Sequence, residues 1–251
     1  MILKGKTVLI TGGRRVGAHL ARAVAQRGAN VALSYFMSRD KIEATVAEVR
    51  ALGVRAAAIA ADLRKPADAE QLVAQTVAEL GSIDVLVNMA SEFHPKPFDE
   101  LQPADFDDGI ASNLKAPYLV AVAAASAMRK QPVVDGIQGK IVNFADWAVD
   151  RPYKNFLPYF IAKGGIVAMT KALAVELAPT IAVNAIAPAM IDPPPNLSPA
   201  DIEGIRQAAP LKRIGTPADA VNLVLYLLEG TDFTTGNVYR IDGGRFLGVE
   251  S

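Results

Sequence analysis

Tyr159 and Lys163 stand four residues apart in the run Y-F-I-A-K, and Asp146 lies thirteen residues before the tyrosine. On a helix, residues four apart share a face. Pro158 sits where a helix can start, and Tyr159 to Leu177 carries helical periodicity until Pro179 stops it. The preceding run, Ile141 to Phe144, is short, apolar and β-type, so it reads as a buried strand. Asp146, just past that strand, can point into the same cleft. A phenol, an ammonium and a carboxylate then meet, which is a set for general acid–base chemistry. A free phenol titrates near ~10 and is a poor proton shuttle at neutral pH. A nearby ammonium favours phenolate and is expected to lower that value. The phenol can then pass a proton to a developing alkoxide or amide nitrogen. The competing reading is a surface helix with an ordinary Tyr and Lys, since Y-x-x-x-K alone is a common pattern.

The elements that must position these groups follow along the chain. Thr7 to Thr11 is a β-type run, followed by Gly12, Gly13 and Gly17 and by an Ala-rich helical stretch from Ala18 to Arg27 that Gly28 closes. Strand, glycine turn and helix form the layout of a dinucleotide-phosphate site, or of an ordinary glycine-rich turn. Asn30 to Tyr35 reads as a strand and Arg39 to Leu52 as a helix. An NAD site usually ends its second strand in an acid. Here the residues are Ser34, Tyr35, Phe36, Met37, Ser38 and Arg39, with no carboxylate until Asp40. Arg14, Arg15 and Arg39 could face a 2′-phosphate, which favours NADP(H), or could be solvated surface arginines.

Val54 to Ala61 reads as a third strand ending at Asp62-Leu63. Asp62 could accept from an adenine amino group, or cap the helix that Pro66 opens and that runs to Leu80. Ile83 to Val87 is a continuous apolar run, so a central parallel strand, and it ends in Asn88-Met89-Ala90-Ser91 before a loop containing Phe93. A helix spans about Pro103 to Met128, interrupted near Asn113 and Pro117. Asn113 is either a polar surface turn or a kink that frees a carbonyl for a water. Ile181 to Ile186 is another strand, leading to Pro188. Asp192 to Asn196 cannot be regular structure, and with Leu197 to Ala209 it reads as a lid loop and short helix. A last helix runs from Pro217 to Glu229, and Val238 to Ile241 is the final strand. This alternation predicts a single doubly wound, Rossmann-type α/β domain over residues 1–251. Its parallel sheet has about seven strands with helices on both faces, and a substrate lid covers residues 190–210.

Composition narrows the function classes. Lys plus Arg and Asp plus Glu number 26 each, so the net charge is zero. A nucleic-acid or anionic-membrane partner would need a basic surface, so neither is expected. The chain has no cysteine, hence no thiolate nucleophile and no zinc–thiolate site. Its two histidines, His19 and His94, are far apart and in no ligand spacing, so no metal is expected. No signal peptide or membrane span is visible, and the absence of disulfides fits the cytoplasm.

In order and over nearly the whole chain, these elements resemble the short-chain dehydrogenase/reductase family. Its pattern is T-G-x-x-x-G-x-G, then N-N-A-G, a helix Asn, a Ser, Y-x-x-x-K, and P-G. The departures are T-G-G-R-R-V-G, one residue short; Asn88-Met89-Ala90-Ser91; Asp146 in the Ser place; and Ala189 after Pro188. With N-x-A-S-x-F, they look like the pteridine reductase branch, which includes dihydromonapterin reductases. The resemblance implies catalysis by Tyr159, Lys163, Asp146 and Asn113. It implies cofactor contacts from Gly12, Arg14, Arg15, Val16, Gly17, Ser34, Tyr35, Arg39, Asp62, Leu63, Asn88, Ala90, Ser91, Tyr159, Lys163, Pro188, Met190 and Ile191. Arg15, Ser91, Phe93, Asp146, Trp147 and Tyr159 would contact a small-molecule substrate. The leading expectation is NADPH-dependent reduction of a pterin, Phe93 stacking on its ring. A carbonyl reductase acting on a ketone or 3-oxoacyl thioester, and a regulator that binds NADP(H) without turnover, are the alternatives. Family members are commonly tetramers, and the Ala-rich stretch from Ala121 to Ala127 could pack between subunits.

Overall fold

Val8, Leu9 and Ile10 of strand β1 (Thr7–Thr11) are all fully buried. A strand covered on both faces reads as a continuous apolar run, because its alternating side chains enter two separate layers. A computed structural model of the chain describes residues 1–193 and 197–248. In it Val8 and Ile10 pack with Leu20 and Val24 of helix α1 (Val16–Ala25), while Leu9 packs into the opposite layer with Leu72 of α3 (Pro66–Leu80). The layers are completed by α2 (Arg39–Ala51) and α8 (Pro217–Leu225) on the first face, and by α5 (Ala116–Met128) on the second.

The other strands are β2 (Asn30–Tyr35), β3 (Ala56–Ala60), β4 (Val85–Asn88), β5 (Gly139–Phe144), β6 (Ile181–Pro188) and β7 (Val238–Ile241). Every pairing is parallel, in the order β3-β2-β1-β4-β5-β6-β7. The chain's winding direction reverses between β1 and β4, so the loops leaving those two strands splay apart there and leave a crevice. The doubly wound seven-stranded sheet expected from the alternation is present. Apart from the last helix, predicted bounds differ by up to two residues at strand and helix ends, where hydrogen bonding rather than apolar pattern decides. The Tyr159 helix, α6, begins two residues earlier than its periodicity indicates and spans Leu157–Glu176.

The predicted helix from Pro103 to Met128 is three pieces. α4 (Pro103–Ile110) passes through one π turn, Ala111–Lys115, into α5. The interruption lies at Asn113 as expected, and Pro117 follows within a helix that continues through the turn, so its missing N–H forgoes one helical bond there. The Ala-rich stretch has one buried and one outward face. Ala121, Ala124 and Ala125 are buried against the chain's own sheet, while Tyr118, Val122 and Ser126 are exposed on the outward face of that helix. Small residues here let α5 sit close to the sheet. The lid contains α7 (Pro199–Gln207), opened by a reciprocal Ser198–Asp201 capping box. Residues 194–196, part of the predicted lid loop, lie outside the described residues. The last helix ends at Leu225 and runs into a π turn, Tyr226–Gly230. Among the described residues no helix is long and apolar enough to cross a membrane.

Gly12, which follows β1, has φ +73°, and a Cβ there would stand 2.8 Å from the Ala90 Cα and 2.9 Å from its N. The turn can therefore approach the β4 loop only without a side chain. Gly12→Ala is expected to destabilise the protein by about 1–3 kcal/mol in urea unfolding. An unchanged midpoint would show that this close approach is not required.

Candidate active site

A chain of buried amides sets α6 against the strand ends. Asn88, at the end of β4, donates to Pro117 O and to Asn143 Oδ1, both at 3.1 Å. Asn143 of β5 donates to Thr170 Oγ1 at 3.0 Å, and Thr170 donates to Ile166 O at 2.8 Å. Four elements are thereby fixed by directional bonds in a water-free layer, where each missing partner would be expensive.

That registration brings Tyr159, Lys163 and Asp146 together. The Tyr159 hydroxyl donates to Asp146 Oδ2 at 2.8 Å, and the other carboxylate oxygen accepts from the Ala148 N–H at 2.8 Å. Lys163 Nζ donates to Phe144 O at 2.7 Å and lies 5.7 Å from the centre of the Tyr159 ring. Burial pushes the Asp146 carboxyl above its usual range, although the Ala148 N–H, Tyr159 and Lys163 act against it. Burial holds the Lys163 ammonium down at about 8, with Asp146 opposing. The expected lowering of the Tyr159 pKa is not found. Burial and then the Asp146 charge raise it well above 10, and the ammonium does not reverse this. The phenol is thus a proton donor held neutral, beside a carboxyl that takes up a proton more readily than a solvated one.

These groups line a cavity of about 610 Å³ at the C-terminal edge of the sheet. Of the predicted residues, Gly12, Arg14, Arg15, Val16, Ser34, Tyr35, Asp62 and Leu63 line one part of it; Ala90, Ser91, Phe93, Trp147, Pro188, Met190 and Ile191 also line it. Gly17, Arg39, Asn88 and Asn113 do not. Gly17 lies behind the turn, where a Cβ would meet Gly12 O at 2.7 Å. Arg39 is turned onto Glu43, one helical turn along α2, at 2.7 Å, away from the cavity lining. Asn88 serves the buried amide chain. Asn113 Oδ1 accepts from the Glu92 N–H at 3.0 Å, so its side chain braces the loop that carries Ser91 and Phe93.

Two more expectations change. Arg15 is at φ 52°, a left-handed conformation that the shortened turn imposes on a non-glycine residue. Its guanidinium is bound to Asp192 Oδ2 at 3.0 Å, to Ile191 O at 3.1 Å and to Asp192 O, so it ties the turn to the lid. Asp62 does not cap α3. Its carboxylate is gripped by Arg64 at 2.8 and 3.0 Å. Phe93 has one face stacked on Phe156 at 4.1 Å and its ring set edgewise to Tyr159 at 4.8 Å, so only its other face is free for a ligand.

Sequence reasoning missed Arg64, Phe156 and Arg245. Arg64 lines the cavity and lies 5.3 Å over the Phe36 ring. Its place two residues after Asp62 was the available signal. Arg245 lines the cavity with its guanidinium 4.6 Å over the Trp147 ring, and no local motif marks it because the two meet across about a hundred residues of chain.

Comparison with known proteins finds similar chains over nearly the whole length. A family model described as "Enoyl-(Acyl carrier protein) reductase" matches residues 13–245. A 3-oxoacyl-(acyl-carrier-protein) reductase from Staphylococcus epidermidis is 32% identical over 247 residues, covering 96% of this chain and 99% of that protein. A hydroxy(phenyl)methylsuccinyl-CoA dehydrogenase subunit from Thauera aromatica is 34% identical over 254 residues, covering 98% and 99%. Among solved structures, a short-chain dehydrogenase from Burkholderia cenocepacia in complex with NADP superposes with a TM-score of 0.88 at 32% identity, covering 98% of this chain and 99% of that one. A short-chain dehydrogenase/reductase from Serratia marcescens superposes at 0.90 and 30% identity, covering 98% and 100%.

The depressed Lys163 pKa has a consequence for stability. Unfolded, the lysine titrates at 10.5; folded, at about 8. Between these values the unfolded chain binds more protons, so stability rises with pH. The penalty for burying the ammonium is absent above 10.5, grows as pH falls, and is complete below about 8. In urea unfolding, wild type should gain stability relative to Lys163→Met as pH rises from about 8 toward 10.5. A difference that does not change with pH would contradict the assignment.

Proposed function

The chain belongs to the short-chain dehydrogenase/reductase family, and we propose that it is an NADPH-dependent reductase of a carbonyl carbon, with 3-oxoacyl thioesters as the substrate class. The observation that carries the reductase reading is the Tyr159–Asp146 hydrogen bond at 2.8 Å beside fully enclosed Lys163. The thioester class rests on the relatives, which are named for acyl-carrier and acyl-CoA chemistry.

The residues present fit the cofactor. Gly12 keeps the turn free of a side chain, and no side chain caps the N-terminus of α1, so its positive dipole end is open to a pyrophosphate. Arg14 lines the same cavity at the glycine turn and would hold the 2′-phosphate, in place of Arg39. When bound, the reduced nicotinamide supplies the hydride. Lys163 would orient the ribose next to it. Tyr159, held protonated by burial and by Asp146, donates its proton to the carbonyl oxygen as the carbon is reduced to the alcohol. Asp146, whose own proton affinity is raised, then takes up a proton from solvent and passes it to the phenolate. Asn113 acts through the Glu92 N–H, by fixing the loop that bears Ser91.

One observation favours a second reading, the pterin. An ionised Asp146 beside a carbonyl oxygen would repel the developing oxyanion, whereas a ring N–H of a heterocycle would satisfy it. Phe93 would then offer its free face to the ring. A cytoplasmic setting and a homotetramer belong to this proposal by family analogy.

The test measures NADPH oxidation with acetoacetyl-CoA and with dihydropterins. Tyr159→Phe should lower turnover of the accepted substrate by ~10²–10⁴, and near-normal turnover would overturn the role of Tyr159. Asp146→Ser should lower carbonyl reduction less than Tyr159→Phe does, since a serine hydroxyl still bonds the phenol but supplies no carboxyl proton; a collapse of dihydropterin reduction in that variant, with acetoacetyl-CoA refused by wild type, would replace the carbonyl reading with the pterin one.

A further inference from the structure

Four arginines line the main cavity, and two of them are already committed. Arg15 is held by Asp192 and Arg64 by Asp62. Arg14 lies at the glycine turn. Arg245 lies on the far side, next to the reacting groups, close enough that its charge acts on both Asp146 and Tyr153. Among the described residues, its guanidinium makes no ion pair and donates no hydrogen bond. Its one partner is the face of Trp147, at 4.6 Å.

The backbone beneath it is built to hold it there. β7 ends in Asp242-Gly243-Gly244, and the Asp242 carboxylate accepts from the Gly244 and Phe246 N–H groups at 3.0 and 2.8 Å. Gly244, at φ 83°, turns the chain back, and Arg151 donates to Phe246 O at 3.0 Å. A buried aromatic face then fixes the plane of the guanidinium, which leaves its N–H edge free.

Arg245 also lines a second cavity of about 320 Å³, which shares Ala189 and Met190 with the first. Ile205, Leu211 and Ile214 give that cavity an apolar wall. The two other arginines on its lining are neutralised, Arg213 by Asp219 at 2.7 Å and Arg240 by Asp150 at 2.7 Å. Arg245 is thus the uncommitted cation where the two cavities meet.

We propose that Arg245 is a specificity residue that recognises an anionic group on the substrate, a carboxylate or phosphate carried on a segment extending from the reduced carbon into the second cavity. This rests on the reductase reading but not on the choice between carbonyl and pterin. A guanidinium fixed on one face presents parallel N–H donors to a two-oxygen acceptor. A neutral substrate would leave that charge desolvated without a partner, so the site discriminates by what it fails to satisfy as well as by what it binds.

The test compares substrate pairs that share a reducible group and differ in charge: acetoacetyl-CoA against ethyl acetoacetate, and dihydrofolate against dihydrobiopterin. For the pair the wild type reduces, the anionic member should have the higher kcat/KM. Arg245→Gln should lower kcat/KM of that member at least tenfold more than of the neutral one, mainly through KM. Arg245→Lys should restore part of the preference, since it keeps the charge and loses the planar fork. A parallel fall for both members, or an unchanged ratio, overturns the proposal. If no member is reduced, the reductase reading fails on its own, and calorimetry decides the role of Arg245. Weaker binding of coenzyme A or dihydrofolate to Arg245→Gln than to wild type then supports it; equal binding, or none to either, overturns it.

Discussion

The hydrogen bond from Tyr159 to Asp146 joins two parts of the site that come from different element types, a helix face and a strand end. For it to form, α6 must sit in one register against β5. That register is set by Asn88, Asn143 and Thr170, whose amides and hydroxyl pair in a layer that water does not reach. A one-residue slip in β5 would turn Asn143 to the other face and break the chain of bonds. The apolar layers give the fold its stability, and this polar thread gives the site its geometry. Burial then does the rest of the tuning. It raises the carboxyl and the phenol and lowers the ammonium, so all three are shifted toward their neutral forms by the same physical cause.

Much of this was readable from the chain. The order of strands and helices follows from two alternating periods, and Pro66, Pro103 and Pro217 each mark a helix start that the structure shows. The Tyr159–Lys163 pair and Asp146 needed only a helix and a strand end to be brought together. The direction of the tyrosine shift was not readable. It depends on how deeply the ring is covered and on which neighbour is closer, and Asp146 at 2.8 Å outweighs an ammonium that lies over the ring and bonds to Phe144 O. Arginine partners were equally hidden. Arg39 finds Glu43 by helical spacing, which sequence could have indicated, but Arg15 finds Asp192 across 177 residues. Ladder hydrogen bonds set the true ends of β3 and β4, and apolar pattern does not report them.

The substrate question turns on one substitution. The relatives are named for acyl-carrier and acyl-CoA chemistry, and in the family pattern a serine stands where this chain has Asp146. A carboxylate there changes which substrate atoms can be tolerated next to the phenol. Raising its pKa by burial reduces the conflict with a carbonyl oxygen, because a protonated carboxyl can donate rather than repel. The same carboxyl, ionised, would suit a ring N–H.

The central claim is that Tyr159 and Asp146 work as one proton-handling unit. A double-mutant cycle on NADPH-dependent turnover, with Tyr159→Phe, Asp146→Asn and both together, tests it most directly. Coupled groups predict a double variant hardly worse than the poorer single one, as for residues that act as a unit. Losses that simply multiply would mean that the two side chains act independently, and that their hydrogen bond has no part in the chemistry.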